Sequence, residues 1–179
     1  LSQRLRIGRA QDTGRIERLV FVEAERARRD INTPVPRAVS RIDAVALSLN
    51  FHGVWRELDS IVLPTQGFTF AGELGLGQAR GTNAASGAYG RAYGRLTAYL
   101  PFGDALYGQG RIELGQVFLK PGMIVPDSQK WRAGGDDSVR GYAYRSLGPE
   151  FNGALVSGST LFTSSLQVAR PIFADQPAF

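Results

Sequence analysis

The sequence contains no cysteine, one histidine, one methionine and only two lysines, Lys120 and Lys130, in 179 residues. Without cysteine there is no disulfide framework and no thiolate metal centre. A lone His52 excludes histidine-rich metal sites and two-histidine zinc motifs, so no metal or cofactor is expected. No apolar run approaches the ~18 residues of a membrane-spanning helix. Gly72, Gly75, Gly77 and Gly81 do not fall at dinucleotide-loop spacing, and no phosphate-binding Gly-x4-Gly-Lys-Ser/Thr occurs. Asp136-Asp137 lacks the partners of a calcium loop and reads as loop polarity. His52 has no nucleophile or carboxylate in a recognised arrangement. No catalytic residues are therefore assigned, and an enzyme is not expected. The chain begins at Leu1 with no charged-then-apolar leader, so any signal segment is expected upstream or removed.

Two features are present in excess. The 22 glycines exceed the usual share, and nearly all of the positive charge (formal net +5) is carried by arginine. Arginine without lysine suits a nucleic-acid groove, suits the wall of a water-filled channel where guanidinium forks meet carboxylates, and also follows from a GC-rich genome. The arginines are spread along the chain and form no single stripe, so no nucleic-acid partner is expected.

Hydrophobic periodicity is two. Val45, Leu47, Leu49 and Phe51 alternate with Ala44, Ala46, Ser48 and Asn50, and Phe68, Phe70, Gly72, Leu74 and Leu76 with Thr69, Ala71, Glu73 and Gly75. The same alternation runs from Leu96 to Phe102 and from Phe162 to Ala169. Further strands are expected at about 4–10, 19–28 and 106–118. Residues 18–29 favour helix by composition, yet the Leu19-Val20-Phe21-Val22 start assigns them to a strand. Short connections at 12–14 and 102–104 contrast with long ones at 29–40, 78–88 and 119–159.

About seven antiparallel strands with one apolar and one small or polar face fit two architectures. A soluble sandwich or barrel turns the apolar face inward; a transmembrane barrel turns it outward to lipid. The second face carries Gly, Ala, Ser and Thr more than Lys and Glu. The strands have membrane-crossing length, and Phe51, Trp55, Phe68, Phe102 and Tyr107 sit near strand ends, where aromatic girdles lie. These features favour the transmembrane barrel.

The stretch Trp131-Arg132-Ala133-Gly134-Gly135-Asp136-Asp137-Ser138-Val139-Arg140-Gly141-Tyr142 resembles the sixth outer loop of the outer-membrane assembly barrels of the BamA/TamA superfamily, whose signature is Gly-Gly-x-x-Ser-Val-Arg-Gly-Tyr/Phe. The Ala-Gly-Gly-Asp opening and the Tyr144-x-x-Leu147-Gly148-Pro149 tail look most like the TamA branch. Leu63-Pro64-Thr65-Gln66-Gly67 resembles the family's Pro-Thr-Arg/Asp-Gly turn, and Ser164 to Ile172 the strand after the loop, so the likeness spans Asp59 to Ile172.

The resemblance implies an all-β fold: residues 1–179 as the central part, about seven strands, of a sixteen-stranded antiparallel transmembrane barrel. POTRA domains and closing strands would lie outside the chain, and the ending on Phe179 is read as coincidence. The long loop 119–159 would fold into the lumen as a latch, with Gly134, Gly135 and Gly141 turning the backbone, Asp136, Ser138 and Val139 completing the motif, Arg140 reaching the inner wall, and Tyr142 giving the tip an apolar body with a polar end. Relatives commonly have Glu where this chain has Gln167, so a weaker or relocated latch is expected, with Glu113 and Glu73 as inward candidates or the family's second acid beyond Phe179. The latch at Arg140 requires an acidic oxygen within about 4 Å of the guanidinium, and a structure without one counts against the latch for this chain. The function implied is assembly of barrel proteins such as autotransporters into the bacterial outer membrane, with outer-membrane lipid, unfolded substrates and a periplasm-spanning TamB-like protein as partners. A two-partner secretion pore is the alternative, and a passive porin the outsider.

Overall fold

The computed structural model describes residues 2–31, 40–82, 84–103, 106–136, 138–151 and 153–170. Seven strands form one sheet: β1 (Ser2–Asp12), β2 (Ile16–Ile31), β3 (Ser40–Leu58), β4 (Gly67–Gly81), β5 (Gly87–Phe102), β6 (Leu106–Phe118) and β9 (Thr160–Ala169). Their order in the sheet is their order in the chain, and every pairing is antiparallel. Between β6 and β9 the chain makes a 3-10 turn at Asp127–Gln129 and a small hairpin, β7 (Glu150–Phe151) with β8 (Ala154–Leu155). The expected matches at Pro171-Ile172 and the tail to Phe179 lie outside the described residues, as do positions 32–39 of the expected 29–40 loop and Asp137.

The seven expected strands are all present, and most run longer than expected: β1 covers Ser2–Asp12 and β2 Ile16–Ile31, while β3 continues to Leu58 and β4 to Gly81. β5 begins at Gly87, so the connection expected over 78–88 shrinks to 82–86. Its first half alternates Tyr89, Arg91, Tyr93 and Arg95 with Gly90, Ala92 and Gly94; the apolar face is small there, which hides the period. Residues 18–29 are strand throughout. Glu23 and Glu25 face one side and Val20, Val22 and Ala24 the other, a segregation that only a period of two achieves.

The sheet is polar where it is covered and apolar where it is bare. Leu49 is 57% exposed, Leu76 74% and Leu166 79%, whereas Glu23 and Glu113 are 3% and 4% exposed. Val22, Val45, Leu47, Leu74, Ile112, Leu114, Phe162 and Val168 join the exposed apolar face. Ser48 and Asn50 sit on the covered face, as do Tyr89 and Thr163. A water-soluble sheet would do the reverse. Exposed apolar side chains cost nothing in hydrocarbon, and covered polar ones suit a lumen. The connections β2–β3, β4–β5 and β6–β9 leave from one end of the sheet and β1–β2, β3–β4 and β5–β6 from the other; the end that bears the long 119–159 connection corresponds to the outward end of such a barrel and the opposite one to its periplasmic end.

Candidate functional site: the loop docked on the polar face

The 119–159 loop covers the polar face at four places. Nearest β6, Met123 and Val125 pack with Ala46, Ala79, Tyr89 and Val117 in the one buried apolar cluster among the described residues, with Leu119 and Trp131 against it. Ala85 of the β4–β5 connection bridges to Met123, and its N–H donates to the Gly122 carbonyl at 3.0 Å.

The 3-10 turn then crosses to β2, three strands away from β5. Ser128 Oγ donates to the Glu25 carboxylate at 2.6 Å, and Gln129 Nε2 to Glu23 Oε1 at 2.6 Å and Glu25 Oε2 at 3.1 Å. Both carboxylates are also matched from β1, where Arg4 reaches Glu25 at 3.3 Å and Arg6 pairs with Glu23. Two buried acids side by side would repel; the two arginines neutralise them, and the loop supplies donors for the remaining lone pairs.

Trp131 forms the third anchor. Its ring stacks on Tyr93 with centroids 5.2 Å apart and 23° between planes, and the Arg91 guanidinium lies 4.3 Å from its centre. Beneath it is Gly115, where an added Cβ would come within 2.8 Å of the indole, so glycine makes room for the ring. Arg91 is held by Glu73 at 3.1 Å, and the Tyr93 hydroxyl donates to Glu113 at 3.1 Å. Thr163 Oγ1 donates to the other Glu113 oxygen at 2.7 Å, and Arg95 stands 3.8 Å away. Trp131 also exchanges both backbone bonds with Gly158. Next to it Arg132 staples the loop internally, reaching Asp127 at 3.0 Å, Ser157 at 2.7 Å and the Leu155 carbonyl at 3.2 Å.

The motif itself is the fourth place. Gly134, Gly135 and Gly141 all have positive φ (110°, 102° and 88°), and a Cβ on Gly134 would collide with the Ala143 carbonyl oxygen. The Gly135 N–H donates to the Tyr142 carbonyl and the Ser138 N–H to that of Gly135, both at 3.0 Å, which closes the tip. Arg111 of β6 donates to the carbonyl of Ser138 at 3.0 Å and, more weakly, to that of Asp136 at 3.5 Å. Val139 lines a cavity of about 490 Å³ with Trp131, Leu147 and Leu161. The Asp136 and Tyr142 side chains are exposed.

Arg140 meets Gln167 of β9. Amide oxygen and nitrogen are distinguished by their partners; with the oxygen turned toward the guanidinium, it accepts from Nη1 at 2.7 Å and Nη2 at 3.3 Å. Among the described residues Arg140 makes no ion pair with a carboxylate. Glu73 and Glu113 face inward as expected, but both are engaged at the Trp131 seat. The motif contact therefore joins a cation to an uncharged amide, and the wall carboxylates that accept hydrogen bonds from the loop's side chains are Glu23 and Glu25. Sequence reading missed Ser128, Gln129, Trp131, Glu23 and Glu25 as anchors. The available signal was the pair of acids on an otherwise apolar or arginine-rich strand, which demands partners when buried.

At the opposite end of the sheet, the β3–β4 turn is organised by Asp59. Its carboxylate accepts from Thr65 Oγ1 at 2.5 Å, Thr65 N at 3.0 Å and Gln66 N at 3.1 Å. The Thr65 hydroxyl and the Gln66 N–H hold it below the ordinary 3.8, at about 2. Leu63, Pro64 and Thr65 thereby share a cavity of about 390 Å³ with Tyr99, Tyr107, Gln109 and Gln167.

Comparison with known proteins agrees with this geometry. A profile of the Omp85 superfamily domain matches residues 15–178. The fold is similar to that of the crystal structure of BamA from Haemophilus ducreyi lacking POTRA domains 1–3, with a TM-score of 0.70 and 19% sequence identity. The match covers 98% of this chain and 38% of that one.

Proposed function

The chain belongs to the Omp85 superfamily, and on that premise we propose that it is the central wall and latch loop of a TamA-like factor that assembles barrel proteins into the outer membrane. Membership makes it a bacterial outer-membrane protein, in a family of insertion and secretion factors rather than enzymes. The finer reading rests on the docked loop, with Gly134, Gly135, Asp136, Ser138, Val139, Arg140, Gly141 and Tyr142 as its latch motif and Gln167 as the partner of Arg140. A loop fixed at four places narrows the lumen, which argues against a passive porin.

In this mechanism the loop stiffens the wall while substrate strands add by edge pairing at a seam elsewhere in a sixteen-stranded barrel. Unfolded barrel proteins such as autotransporters are the substrates, and a periplasm-spanning TamB-like protein delivers them. POTRA domains precede the chain in the full protein, and closing strands follow it. The test is complementation of a strain depleted of the full-length protein, scored by heat-modifiable folding of an autotransporter barrel. Restoration by wild type and a several-fold loss with Trp131→Ala support assembly. Normal autotransporter folding in the depleted strain, with loss of export of one dedicated substrate, transfers the reading to two-partner secretion. A large, steady wild-type conductance in planar bilayers would assign a porin.

A further inference from the structure

The apolar face carries charges at its outward end that the loop does not engage. Arg26 of β2 and Arg80 of β4 are both in register with Val45 of β3, so the three side chains lie on one rung. Val45 is exposed, whereas Glu25, Ala44 and Ala79, their neighbours in sequence, are buried on the opposite side. Both arginines therefore point outward with Val45. Both are exposed, and among the described residues neither has a hydrogen bond or ion pair. Two strand spacings separate them, about 9.5 Å. One rung further out, Arg28 engages Asp43 at 3.3 Å, so that carboxylate already has a cation. Directly toward the membrane centre lie Val22, Leu47, Leu49 and Leu76, all exposed and apolar.

Two unmatched guanidinium groups thus stand where hydrocarbon gives way to head groups, on the side of the long 119–159 connection. Their aliphatic stems can lie on the apolar band while the forks reach outward. A guanidinium fork matches the oxygens of a phosphate bidentately, and the spacing admits two phosphates or two oxygen edges of one head group. We propose that Arg26 and Arg80 form a binding site on the barrel exterior for the phosphates of an outer-leaflet lipid. This site is independent of substrate assembly and of the latch loop.

The test uses the full-length protein in detergent, with bound lipid measured by native mass spectrometry. The probes are bis-phosphorylated lipid A, the same lipid with its phosphates removed, and inorganic phosphate. Arg26→Gln with Arg80→Gln is compared with Arg9→Gln with Arg18→Gln, which are exposed arginines on the same face toward the periplasmic end. Heat-modifiable migration reports that each variant is folded. The proposal expects the first pair to weaken lipid A binding about tenfold, the second pair to leave it unchanged, and the dephosphorylated lipid to bind equally weakly to all. Unchanged binding with the first pair, or equal losses with both, overturns the site. Displacement of lipid A by equimolar inorganic phosphate overturns its assignment to a lipid.

Discussion

At the scale of single residues, the loop is held by the fit of Trp131 and by hydrogen bonds to wall carboxylates more than by an ion pair of the motif's arginine. Trp131 combines stacking on Tyr93 with a guanidinium on its ring, so Trp131→Ala should weaken loop docking by about 2 kcal/mol. Gly115→Val should act similarly from the wall, because a side chain there occupies the volume of the indole. Limited proteolysis of the loop in folded protein measures both, and equal protection in wild type and Gly115→Val would refute the seat. Gln167→Glu turns the cation–amide contact of Arg140 into an ion pair. Since Arg140 is exposed, the gain should stay under about 1 kcal/mol, seen as slower exchange of the Ser138 and Arg140 amides. The motif was readable from its residue types, because three positive-φ glycines and an arginine leave a local imprint. Its partner was readable only in part: Gln167 was in view, but the employment of Glu73 and Glu113 by Arg91 and Tyr93 depends on strand register.

At the scale of elements, β2 and the β3–β4 turn make separate predictions. Gln129 is 2% exposed and spends its amide donors on Glu23 and Glu25. Removing Glu25 as alanine strands that donor and the Ser128 hydroxyl, at a cost of about 1–3 kcal/mol. Hydrogen exchange across 126–131 should quicken while β9 stays protected; uniform quickening would mean the sheet itself had failed. In the turn, the Asp59 carboxylate has its folded value depressed from 3.8 to about 2. Its stabilisation is therefore complete above the ordinary carboxylate range and is lost as pH falls through about 2. The amides of Thr65 and Gln66 should remain slow to exchange at pH 5 (about one unit above the unfolded value), and Asp59→Asn should speed them at neutral pH. Strands were legible wherever large lipid-facing residues alternate, as along β3 and β4. The start of β5 was hidden because glycine and alanine occupy its outward positions. The Ser128–Glu25 contact joins residues 103 apart, a pairing that no local pattern encodes.

At the scale of the whole molecule, an inside-out sheet carries an inward loop, and the two features require each other. The buried carboxylates and aromatics of the inner face need partners, and the loop provides them; the apolar outer face needs lipid. The most direct test of that arrangement exploits the absence of cysteine from the chain. Arg140→Cys and Gln167→Cys are introduced together, and intact cells are treated with a short bifunctional thiol reagent. The remaining anchors at Trp131, Ser128 and Gln129 keep the loop in place without the native contact. The account predicts an efficient intramolecular cross-link and slow labelling of the Arg140→Cys single variant by a membrane-impermeant maleimide. No cross-link, with rapid labelling of that position from outside the cell, would contradict it.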